Sequence, residues 1–70
     1  MKLIDVGSRI KSLRKKKGLT QTELAVLCGF DRTYLSRIEK GKQNLTLETL
    51  FLICEKLSIS IKDFFDFNLA

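Results

Sequence analysis

Gly18, Gly29 and Gly41 each close a stretch in which apolar residues recur every three or four positions, and the 70-residue chain contains no proline. Glycine takes the left-handed backbone conformation that ends a helix without the strain a Cβ would bring. Helical spacing interrupted by such stops predicts several short helices joined by tight turns. No alternating apolar and polar period competes for a strand, so the fold expected is all-α.

The capping residues divide the chain further. Helix 1 is expected from about Asp5 to Lys17, with Val6, Ile10 and Leu13 inward and Arg9, Lys11, Arg14, Lys15 and Lys16 on other faces. Thr20-Gln21-Thr22-Glu23 is a capping box, in which hydroxyl and carboxylate each satisfy a free backbone amide. The helix behind it carries Leu24, Ala25, Leu27 and Cys28 inward and stops at Gly29. Asp31 caps a third helix, Arg32 to Lys40, and Lys42 to Leu45 form a polar connection. Thr46 caps a fourth, about Leu47 to Leu57, with Leu47, Leu50, Ile53, Cys54 and Leu57 as its buried stripe. Ser60-Ile61-Lys62-Asp63 then starts a short fifth helix before Phe64, Phe65 and Phe67. The expectation is one domain over residues 1–70, a compact bundle of five helices.

Composition removes whole classes of function. With no histidine, two cysteines (Cys28 and Cys54) and no dense acidic cluster, neither a metal site nor another cofactor is expected. Both cysteines read as small buried hydrophobes that stay reduced. No general base accompanies a nucleophile and no glycine-rich phosphate loop occurs, so an enzyme is not expected. The apolar run Leu24 to Phe30 is far short of the roughly 20 residues needed to cross a bilayer. Asp5 interrupts any signal-type core, so a cytoplasmic protein without membrane contact is expected. No small-molecule ligand or sensing domain is expected.

The charge is one-sided. Residues 1–42 hold eleven basic and four acidic side chains, a net +7, whereas residues 43–70 hold two and four, a net −2. A positive field confined to one part of a small domain favours a polyanionic partner.

The second and third helices share a connection too short for antiparallel packing and turn at a glycine, the signature of a helix-turn-helix over about residues 21–40. Leu24, Ala25, Cys28, Phe30, Leu35 and Ile38 fall where two crossed helices touch. At about 100° per residue, Arg32, Thr33, Ser36, Arg37 and Lys40 fall in an arc of roughly 140°, opposite Leu35 and Ile38. That arc carries three cations, two hydroxyls and no carboxylate, which suits duplex DNA. Tyr34 lies at its border and is expected to touch phosphate rather than join the core.

The run Gly18-Leu19-Thr20-Gln21-Thr22-Glu23-Leu24-Ala25, then Gly29, then Ile38-Glu39-Lys40-Gly41, resembles the XRE-like helix-turn-helix family of phage lambda-type repressors and Cro proteins. Within it, Asp31 to Glu39 followed by Asn44-Leu45-Thr46 is similar to controller proteins of bacterial restriction-modification systems. Arg37 departs from that pattern, where those controllers often carry a small residue. The resemblance covers about residues 6–67. It implies a transcriptional regulator acting as a homodimer that sets helix 3 of each subunit in successive major grooves of a pseudo-palindromic operator. By the same resemblance Arg32, Thr33 and Arg37 match base-reading positions, and Ser36 joins them on the exposed arc. Gln21 matches a phosphate-contacting position, Lys42, Gln43 and Asn44 match the backbone-contacting loop, and Lys40 borders it. Arg14 and Glu39 match a structural salt bridge.

A different class competes on the same fold: an antitoxin or other helical protein-interaction module. The cationic arc separates the two, because a protein-docking version would carry apolar or mixed residues there. For the dimer, the last fourteen residues hold more apolar side chains than one short helix can bury. Leu57, Ile61 and Phe64 are expected to complete the core. Ile59, Phe65 and Phe67 are expected at the interface, with Leu69 in the same apolar set.

Overall fold

The computed structural model describes residues 1–68, and among them are five helices and no strand: α1 (Leu3–Lys16), α2 (Gln21–Cys28), α3 (Arg32–Glu39), α4 (Leu47–Lys56) and α5 (Ile61–Phe64). The caps act as expected. Thr20 Oγ1 accepts from the Glu23 amide at 3.0 Å while Glu23 Oε1 accepts from the Thr20 amide at 2.9 Å. Asp31, Thr46 and Ser60 each accept from the amide three residues on, at 2.8, 3.1 and 3.0 Å. Gly18, Gly29 and Gly41 have φ of +75°, +74° and +70°. Helix 1 begins two residues earlier than expected, because Asp5 accepts from the Lys2 amide at 2.7 Å and so sits inside the first turn. Helix 3 ends one residue earlier, with Lys40 as its C-cap.

One core unites all five helices: Ile10 and Leu13 of α1, Leu24, Ala25 and Cys28 of α2, Leu35 and Ile38 of α3, Leu50, Ile53 and Cys54 of α4, then Leu57 and Phe64. Ile61 packs half-buried against it. Two expected core residues lie outside. Leu27 is 48% exposed and Leu47 66% exposed. Leu24, Ala25 and Cys28 define the inward side of α2, and Leu27 is rotated roughly 100° from its centre. Leu47 shares a flank with Phe51, about 40° apart on the same helical projection, and Phe51 is itself 49% exposed.

The packing of α1 on α3 depends on Gly7, which is buried. A Cβ at Gly7 would meet the backbone carbonyls of Ile38 and Glu39, the latter at 2.7 Å. Gly41 meets the start of α1 in the same way, since a Cβ there would lie 2.6 Å from the Ile4 backbone. The chain after α3 therefore turns directly beneath α1.

The C-terminal segment is clamped by Arg9. Its Nε donates to the Phe64 carbonyl and Nη2 to the Asp63 carbonyl, both at 2.8 Å, with a further contact to the Asp66 carbonyl at 3.4 Å. The same guanidinium lies 5.3 Å from the centre of the Phe67 ring. Phe67 also packs edge-on to Phe64 at 6.4 Å between ring centres. Of the residues expected at an interface, Ile59 and Phe67 are thus half-buried within the monomer, while Phe65 is 38% exposed. Leu69 lies outside the described residues.

Candidate nucleic-acid interface

α2 and α3 cross through Leu24, Ala25, Cys28, Leu35 and Ile38, all buried, with Phe30 half-buried at the turn. The Phe30 amide returns to the Ala25 carbonyl at 2.9 Å, closing the turn at Gly29. This fixes the direction in which α3 presents its outer face.

Beneath the motif lies a buried ion pair. Arg14 donates from Nε to Glu39 Oε2 at 2.8 Å and from Nη2 to Oε1 at 3.1 Å. Its Nη1 donates to the Leu19 carbonyl at 2.8 Å, which ties the end of α1 to the residues leading into α2. Two parallel bonds of this kind hold two planar groups in one geometry. The only carboxylate within α3 is thereby turned inward and neutralised. The outer face of the helix is left with its cations.

A chain of hydrogen bonds runs from this pair to the surface. Gln21, the first residue of α2, donates from Nε2 to Glu39 Oε1 at 3.0 Å, which turns its Oε1 outward. That oxygen accepts from Arg32 Nη1 at 3.1 Å. Arg32 and Gln21, expected in different roles, are therefore neighbours. Thr33 is exposed and Ser36 half-buried on the same helix. Arg37 turns instead towards the following loop, donating from Nη2 to the Lys42 carbonyl at 2.7 Å and from Nε to Gln43 Oε1 at 3.4 Å. Lys40, Lys42 and Asn44 are exposed, and Gln43 is half-buried.

Tyr34, expected at the border of the arc rather than in the core, packs its ring against the core. The ring is half-buried and meets Phe30 edge-on at 5.0 Å, because an edge-to-face aromatic pair at the motif's turn buries more area than a free ring. The ring is thus part of the packing.

Sequence reasoning missed three residues, one that seats α3 on α1 and two that shape the molecule away from this face. Gly7 was overlooked because an isolated glycine in a helical pattern has no local signature. Arg9 looked like one more solvated cation. Phe51 was hidden beside a convincing stripe, although its spacing of four from Leu47 places both on one flank. The cysteines are free and buried, and burial pushes both thiols above their usual pKa, with Lys56 pulling Cys28 slightly back. Among the described residues no cluster of three or more His, Cys, Asp or Glu could hold a metal, and no helix is long and apolar enough to cross a membrane.

A helix-turn-helix family model matches residues 10–64, so the chain belongs to the helix-turn-helix family. HTH-type transcriptional regulator y4dJ of Sinorhizobium fredii, itself uncharacterized, is 44% identical over 55 residues, 79% of this chain and 71% of that protein. Control protein C.MunI of Mycoplasma is 41% identical over 63 residues, 89% of this chain and 85% of that protein. Antitoxin PezA of Streptococcus pneumoniae is 43% identical over 58 residues, 83% of this chain but 37% of that protein. Among solved structures, the restriction-modification controller protein C.Esp1396I, as a tetramer on its natural 35 base-pair operator, superposes with a TM-score of 0.84 at 44% identity. The match covers 91% of this chain and 84% of that one.

Proposed function

We propose that the chain is a sequence-specific DNA-binding regulator of the controller type, acting as a homodimer on a pseudo-palindromic operator rather than as an enzyme. The observation that carries this reading is the outer face of α3, where Arg32, Thr33, Ser36, Arg37 and Lys40 stand without a carboxylate because Glu39 is buried against Arg14. A face that merely kept the protein soluble would mix both signs of charge. The likeness to a controller solved on its operator points the same way.

In this reading α3 enters the major groove. Arg32 and Arg37 offer guanidinium donors to guanine O6 and N7, while Thr33 and Ser36 reach neighbouring base edges. Gln21 keeps one Nε2 hydrogen for a phosphate oxygen at the start of α2, where free backbone amides also favour an anion. Lys40, Lys42 and Asn44 flank the helix towards the backbone, with the Tyr34 hydroxyl beside them. Arg14 and Glu39 hold the platform and touch no base. A second copy covers Phe65 together with Leu47 and Phe51, which are exposed aromatic or aliphatic side chains in a chain whose own core is small. Two recognition helices so paired read half-sites about 10 base pairs apart between centres.

Selection of bound duplexes from a random pool, followed by titration of two variants at several salt concentrations, tests the reading. Arg32→Ala costs about 1–3 kcal/mol on the selected site and relaxes preference at particular base pairs. Lys42→Ala weakens every duplex alike and lowers the salt slope by about one unit. Failure to enrich any sequence, or equal loss on all duplexes for Arg32→Ala, overturns it.

A further inference from the structure

The loop after α3 folds back on that helix, and a single side chain closes the turn. The Lys42 amide donates to the Arg37 carbonyl at 2.9 Å, and the Arg37 side chain answers by donating from Nη2 to the Lys42 carbonyl at 2.7 Å. Nε of the same guanidinium donates to Gln43 Oε1 at 3.4 Å. A guanidinium is planar, with its five N–H bonds at fixed directions. Once the edge formed by Nε and Nη2 is turned to the loop, the end formed by Nη1 and the second Nη2 hydrogen is the part left to meet a base. The three loop residues at positions 42 to 44 are not alike: Lys42 and Asn44 are exposed, whereas Gln43 is half-buried with its acceptor on Arg37.

We propose that Gln43 is a positioning residue for base reading by Arg37, and not itself a phosphate contact. This rests on the DNA-binding function argued above and assigns one part of its specificity to a residue outside the recognition helix. A long side chain loses rotamer freedom when it is fixed on a base, and holding it beforehand removes that cost at the moment of recognition. The Lys42 carbonyl and Gln43 hold the plane of Arg37 already in the free protein. Gln43 acts through Arg37 alone.

Two variants at this position separate the roles. Gln43→Leu keeps the size and removes the acceptor, and Gln43→Glu keeps an acceptor for Nε. On the selected operator and its single base-pair variants, Gln43→Leu is expected to lower preference about three- to tenfold at the base pair where Arg37→Ala relaxes it, part of the discrimination a good bidentate contact supplies. Random duplex loses much less. Gln43→Glu retains the preference, and Gln43→Leu adds nothing further in an Arg37→Ala background. Equal losses on operator, variant and random duplex make Gln43 a phosphate contact and overturn the proposal, as does an unchanged preference. A second readout needs no DNA: exchange of the Arg37 Nε proton with water, followed by NMR in the free protein, is faster in Gln43→Leu than in the parent. An unchanged rate refutes the positioning role even where duplex binding itself is absent, so failure of the proposal is told apart from failure of the DNA-binding function.

Discussion

Replacing Glu39 tests the platform on which the recognition helix stands. The Arg14 side chain is 7% exposed and that of Glu39 1% exposed. Glu39→Ala removes both carboxylate oxygens from the Arg14 guanidinium and one acceptor from Gln21, leaving Arg14 with the Leu19 carbonyl alone. Stranding a buried charge in this way costs about 3–5 kcal/mol. A chain of 70 residues has total stability of roughly 4–10 kcal/mol. The variant should therefore lose at least about a third of its stability, and a loss of about 3 kcal/mol lowers the melting temperature by roughly 12–24 °C. Arg14→Ala strands Glu39 and should cost a similar amount, eased by the Gln21 amide. Removing both charges strands neither, so the double variant should lose about 2 kcal/mol less than the sum of the single losses. Replacing the pair with Met and Leu should match the parent or exceed it. Urea unfolding followed by far-ultraviolet circular dichroism measures all four corners of the cycle. Additivity within about 0.5 kcal/mol would show that the two side chains do not hold each other, and the reasoning would fail.

Gly7→Ala offers opposite signs for local and tertiary effects: helix propensity alone promises a gain of about 1 kcal/mol, whereas a Cβ against the Ile38 and Glu39 carbonyls forces α1 away from α3 and should cost about 1–3 kcal/mol in the same unfolding assay. Glu23 accepts from the Thr20 amide, which holds its pKa below the usual 4.5, so the stability it contributes is complete above that value and is lost as pH falls through the lower folded-state pKa. Glu23→Gln should flatten that acid limb of the unfolding curve, and an unchanged limb would place the titration elsewhere. Phe51→Glu and Phe65→Glu should each give monomers by sedimentation, with affinity for the full operator falling far more than for a half-site. A parent protein already monomeric at high micromolar concentration would remove the interface.

Cap, turn and stripe were legible in the residues because each is local. Thr20 meets Glu23, and Asp31, Thr46 and Ser60 each meet the amide three residues on, so four helix starts could be read without knowing what packs where. The cationic arc of α3 followed from helical geometry alone, and with it the class of partner. The tertiary structure decided what depends on residues far apart in the chain. Arg9 becomes a clamp only because α5 returns to it 55 residues later, and Arg14 becomes part of a buried pair only because Glu39 arrives 25 residues later. Leu27 and Leu47 match the period of their helices yet stay exposed, since periodicity says which residues share a face but not how wide a face the neighbouring helices cover. Gly7 carries no side chain to read, and its role exists only where the backbone of α3 comes against it. Short-range hydrogen bonds are written in sequence spacing, whereas the width of a contact and the partner across it are set by how five helices fill one core.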